Sequence, residues 1–150
     1  MIGTTTPRSV LARAFRALMV LEALSFLGFA LLHLGVRIPM GFAVIAEPRR
    51  PFAVIVEGLA ALLLALGASA VLTRRTWAWA AVTAAHAVAL AGVLWGMVAV
   101  AAGRGPHTQL NDTYHRLMVV VLGAGLILLL TRVGRAALNI RKPSLDPRRE

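Results

Sequence analysis

Five ionisable residues fall inside apolar runs of this chain: Glu22, His33, Glu57, His86 and, near the start of the last run, His115. A carboxylate or imidazole is costly in hydrocarbon. Such a group is kept where it faces a bundle interior and binds a ligand, moves a proton or holds a metal. Counted from the middle of each run at about 1.5 Å per residue, the five sort into two layers. His33 lies about 10 Å toward the outer face, Glu57 about 7 Å and His115 roughly 13 Å. Glu22 and His86 both lie about 5 Å toward the cytoplasm. Glu22 and His33 are 11 residues apart, close to three helical turns, so both point from one face of their helix. This predicts a polar bundle axis.

Three chemistries suit the outer layer. His33, His115 and Glu57 form a two-histidine, one-carboxylate set of the kind that takes zinc or non-haem iron, although no local signature such as HExxH accompanies them. His33 and His115, at similar depth on the first and last spans, would be the axial pair of a haem, which needs histidines on facing helices. The leading mechanism needs neither. A Glu–His pair in a dry site hydrogen-bonds a quinone or passes protons to it, and Met, Leu, Phe and Ala walls accept an isoprenoid or acyl tail. Glu22 and His86 would then serve as an inner relay. The alternative for Glu57 is an ion pair with Arg37 or Arg50 that locks the outer loop. In the stretch NDTYHR, Asn111 or Asp112 is the expected helix N-cap. Asp112 stands three residues before His115, where a carboxylate can orient an imidazole. Asn111, Tyr114 and Arg37 complete the expected surroundings of the site. His107, beside Pro106, is expected in solvent. Ser25 and Ser69 have no triad partners, and Ser9 and Ser144 lie outside the spans. The chain has no cysteine, which removes disulfides, iron–sulfur clusters and thiolate catalysis.

These residues must be positioned by membrane helices. The 150 residues are 59% hydrophobic and 15% charged, too apolar for an ordinary soluble domain. A bilayer core about 30 Å thick needs roughly 20 apolar residues as helix. Four runs meet that requirement, at 15–36, 52–72, 77–102 and 114–131. Short links make neighbours antiparallel, which predicts a single all-α domain folded as an up-down four-helix bundle with tails 1–14 and 132–150. The first run is too long for a cleaved signal peptide. The net charge of +10 follows from arginines flanking the runs, so nucleic acid is not an expected partner. Eleven basic residues (Arg8, Arg13, Arg16, Arg74, Arg75, Arg132, Arg135, Arg141, Lys142, Arg148 and Arg149) fall on one side, against five (Arg37, Arg49, Arg50, Arg104 and Arg116) on the other. Both termini are therefore expected in the cytoplasm of a bacterial cell. Trp77, Trp79 and Tyr114 are expected in interfacial belts. Ala81, Ala85 and Ala89, continued by Gly92 and Gly96, allow close helix packing within the chain or against a second copy or a partner subunit, and Gly123 with Gly125 form a weaker version. FAVI occurs twice, each time one residue before a glutamate. Glu47 precedes Pro48 and two arginines and is expected in an interfacial loop, whereas Glu57 opens a span.

The stretch VEGLAALLLALGASAVLTRRTWAWAAVTAAHAVAL, 56–90, resembles the DoxX-like family of small four-span bacterial membrane proteins. The matching features are Glu57 opening span two, Leu66 and Gly67 near its end, Thr73 and Arg74 in the turn, and His86 in span three. The ends of the chain, including GRAALNIRKPSLD, are loosely similar. The sequence departs from the family in having Ala60 and Ala61 where a glycine usually follows the glutamate. The first outer segment and NDTYHR have no counterpart. The resemblance implies a component of a quinone-linked oxidoreductase or a partner in a membrane redox complex. Three readings are carried forward: a quinone-binding, redox-linked protein, a haem or metal binder, and a non-catalytic accessory subunit.

Overall fold

A computed structural model describes residues 7–138, with backbone only for 7–9. The outermost parts of both expected tails, with Arg141, Lys142, Ser144, Arg148 and Arg149, lie outside the described residues. Helix α1 spans Pro7–Leu34, α2 Pro51–Leu72, α3 Ala78–Ala101, α4 Gln109–Leu130 and α5 Arg132–Leu138. The first four are long and apolar enough to cross a membrane, and the all-α four-helix bundle is the observed architecture. A two-strand hairpin, β1 (Ile38–Pro39) and β2 (Val44–Ile45), pairs antiparallel between α1 and α2.

Helix α1 begins well before the apolar run. Pro7 supplies a first-turn residue with φ already helical, and the Ala, Leu and Arg that follow are strong helix formers, so the basic turn joins the helix. The end of α1 is set by Gly35 at φ 105°. Its N–H bonds Leu32 O and the Val36 N–H bonds Leu31 O, at 2.9 and 3.0 Å. That is a Schellman end, which needs a left-handed residue. Gly103, at φ 71°, closes α3 in the same way. The segment after α4 is not a plain tail. Thr131 caps α5 by accepting from Gly134 N at 3.1 Å, and α5 packs back on α1 with Leu138 buried.

The helices pack in chain order, α1 on α2, α2 on α3 and α3 on α4. Spans one and four are expected as neighbours, and the backbones of α1 and α4 approach closely at few points. Aromatic side chains fill that gap instead. Tyr114 stacks on Phe29 with ring centroids 3.5 Å apart and meets Phe26 edge-on at 5.9 Å. Tyr114 is thus a core residue and not part of an interfacial belt. Trp77 is exposed. Trp79 turns partly inward, where its indole N–H donates to Leu129 O at 3.0 Å and Arg135 lies over its ring.

Helix α4 starts five residues before the expected run, because Thr108 caps it in place of Asn111 or Asp112. The Thr108 hydroxyl accepts from Asn111 N at 3.2 Å and donates to both carboxylate oxygens of Glu47, at 2.8 and 2.9 Å. Glu47, in the α1–α2 loop, is therefore buried and bonded. One hydroxyl joins the α1–α2 and α3–α4 loops. Thr108→Val should lower stability by about 1–2 kcal/mol, read as a lower melting temperature in detergent, while Thr108→Ser should stay near wild type. Equal melting of Thr108→Val and wild type would remove the cap from this account.

Candidate functional site

The end of α1 and the second turn of α2 bring His33 against Glu57. His33 Nδ1 and Glu57 Oε2 are 2.9 Å apart, with both residues buried. The backbone fixes this pairing, because Arg50 N donates to the carbonyl of His33 itself at 3.0 Å. Glu57 therefore pairs with an imidazole and forms no ion pair with Arg37 or Arg50. Arg37 is exposed and takes no part. His33 Nε2 is buried without a hydrogen-bond partner among the described residues.

A cavity of about 360 Å³ opens beside this pair. His33, Glu57 and His115 all line it, with Phe26, Val56, Val93 and Trp95 as apolar wall. The outer layer expected from depth is thus one place in the fold. Its expected metal geometry is not formed: no three His, Asp or Glu side chains converge on a metal position among the described residues. The reason is the orientation of His115. Its Nε2 lies only 3.3 Å from where a Cβ on Gly96 would stand, so the ring lies against α3. Asp112 does not orient it either. That carboxylate points outward to the exposed His107, 3.4 Å away. Asn111 is fully buried in the first turn of α4, and neither of its amide atoms has a partner among the described residues.

The inner layer is also a pair. Glu22 Oε2 lies 3.4 Å from His86 Nε2, with 3% and 0% of the residues exposed. The tautomer follows from the opposite side of the ring. His86 Nδ1 lies 2.9 Å from the carbonyl oxygen of Val82, which can only accept, so Nδ1 carries a proton. At this separation neither Glu22 oxygen nor His86 Nε2 has a hydrogen-bond partner among the described residues, and closing a hydrogen bond between them needs one further proton, shared by the two. Either the carboxylic acid donates to a neutral ring or the imidazolium donates to a carboxylate. The two layers are separated along α1 by Phe26 and Phe29.

Each of the two histidines on α3 and α4 sits in a notch that a glycine leaves on the other helix. His86 of α3 meets Gly125 of α4, its ring 2.9 Å from the position of an added Cβ, and His115 of α4 meets Gly96 of α3. Gly92 makes a third notch, against Val56 of α2. With Ala85 and Ala89 buried in the core, the small-residue face is used within the chain.

Sequence reasoning singled out the acids and imidazoles but missed what surrounds the cavity mouth. Arg49, Arg50 and Arg104 line it. Their signal was present, since each stands within three residues of a span end, but it was absorbed into the orientation count. The chain matches no family model, no curated protein and no solved structure.

Histidine-selective ¹⁵N spectra of reconstituted protein should show His86 protonated at Nδ1, whichever partner holds the second proton. A neutral ring protonated only at Nε2 would contradict the Val82 contact.

Proposed function

We propose that this integral membrane protein binds a lipid-soluble ligand in the outer-half cavity, with the His33–Glu57 pair meeting the ligand's polar head in a redox-linked role. A quinone is the ligand that this chemistry suits first. The observation that carries the reading is the unpartnered Nε2 of His33, buried beside an apolar-walled cavity while Nδ1 is held by Glu57. A buried nitrogen with no partner is a cost unless something occupies it. With Nδ1–H donated to the Glu57 carboxylate, Nε2 offers a lone pair to a hydroxyl such as that of a quinol. With both nitrogens protonated, it donates to a quinone carbonyl. The pair can therefore serve both oxidation states of one head group by gaining or losing a single proton. Glu22 and His86 hold a separate proton site nearer the cytoplasm. Both termini lie in the cytoplasm of a bacterial cell membrane in this reading, and kinship with the DoxX-like family is proposed on the 56–90 pattern alone.

The same free nitrogen favours haem as a second reading, because a histidine held at Nδ1 by a carboxylate is the usual posture of a metal-bound ring. His33 and His115 would be its ligands. Bound haem would supply one-electron transfer. An accessory subunit without chemistry would have to meet its partner elsewhere than at Gly92 and Gly96, which pack internally.

Protein purified in dodecyl maltoside separates these readings. A colourless sample that binds decylubiquinone, with His33→Ala and Glu57→Leu each weakening binding about tenfold, is the expected result. A Soret band that shifts on dithionite would replace the quinone reading with haem. Unchanged affinity in both variants would remove the pair from the site.

A further inference from the structure

The mouth of the cavity carries chemistry that a neutral head group leaves unused. Arg49, Arg50 and Arg104 line the cavity, and none of them forms an ion pair with a carboxylate among the described residues, where every such pair involves histidine. Arg49 lies over Gly35. Arg50 donates through Nη2 to the carbonyl of Pro106. That contact holds the α3–α4 loop to the start of α2, while Nε of Arg50 is buried without a partner.

The start of α2 adds to this. Arg50, at its N-cap, has non-helical backbone, and no side chain caps the helix. Pro51 has no N–H, and the N–H groups of Phe52 and Ala53 have no acceptor within the helix. Phe52 and Ala53 line the same cavity. An uncapped helix N-terminus with guanidinium groups around it is an anion site by both charge and donor geometry. Below it the wall is apolar, and the His33–Glu57 pair lines the same cavity.

We propose that the ligand of this cavity is an acidic amphiphile, its phosphate or carboxylate held at the mouth by Arg49, Arg50, Arg104 and the first turn of α2, with its apolar part in the cavity. The inference rests on the ligand-binding reading above and narrows the ligand class. A neutral quinone uses the deep half alone. Arg50 does two things in this arrangement: it shapes the mouth through Pro106 and offers Nε to the anion.

The test uses whole protein in dodecyl maltoside, a micelle without phosphate. The readout is quenching of Trp95, which lines the cavity, taken as the signal lost in Trp95→Phe. The probes are dodecyl phosphate, dodecanol, inorganic phosphate and decylubiquinone. Dodecyl phosphate should bind at least about tenfold more tightly than dodecanol, more weakly as salt rises, and without that preference in the double variant Arg49→Gln/Arg104→Gln. This variant spares Arg50 and should melt like wild type. Equal affinity for dodecyl phosphate and dodecanol would overturn the inference, as would a preference that survives the double variant. Inorganic phosphate binding as tightly as dodecyl phosphate would mean a free-anion site and overturn the amphiphile. If decylubiquinone binds and dodecyl phosphate does not, the cavity reading stands and the acidic ligand falls. If neither binds, both fall.

Discussion

Hydrocarbon offers no hydrogen bonds, so every polar group that a membrane helix turns inward must be answered by another part of the protein. Helix α1 turns two inward, Glu22 and His33, and the fold is arranged around meeting them. His33 is answered by a hydrogen bond with Glu57 from α2 at 2.9 Å, and Glu22 faces His86 from α3 at 3.4 Å. Each pairing joins an acid to an imidazole, so each is free of net charge when the two groups share one titratable proton, as an imidazolium with a carboxylate or a neutral ring with a carboxylic acid. The pairs tie α1 to α2, on which it packs, and across the bundle to α3, while α4 reaches it through a wall of aromatic rings.

The outer end is built differently from the inner one. The inner pair is enclosed, with the His86 ring clamped between the Val82 carbonyl and the Gly125 notch. The outer pair has a cavity beside it, because the 35–50 segment folds over the helix ends without filling the space between α2 and α3. Two long-range contacts hold that cover in place: Thr108 on Glu47, and Arg50 on the Pro106 carbonyl. Both cross from the first outer loop to the second. The cavity therefore keeps its shape through polar contacts near the interface, where water can also reach, while its floor is set by contacts deep in the bundle.

Much of this was legible in the sequence. Span limits follow from hydropathy, and the end of α2 was read to the residue. Depth alone paired His33 with Glu57 and Glu22 with His86, because spans of one bundle, parallel or antiparallel, bring residues of equal depth together. What depth does not encode is direction around the axis. His115 shares a layer with His33 yet lies against Gly96, and Asp112, one turn earlier, faces out to His107. The α4 cap was missed because Thr108 is selected by Glu47, 61 residues away, which no local pattern carries. Tyr114 was misplaced because its ring suits an interface as well as a core, and only Phe26 and Phe29 decide between them. Hydropathy ended span four at Thr131, but it does not show that α5 follows as a helix and packs back on α1.

The two histidine notches have a further consequence. On α3 the glycine follows its histidine by ten residues, from His86 to Gly96, and on α4 the spacing from His115 to Gly125 is the same. Exchanging the two helices maps this contact onto itself, as a local twofold axis would. A self-complementary contact of this kind specifies register, the depth at which two antiparallel helices must stop sliding. It does not specify partner identity, because either helix would satisfy a copy of itself equally well at these positions. The choice of partner is left to connectivity: the short link from Ala102 to Thr108, pinned by Arg50, keeps α4 of the same chain beside α3.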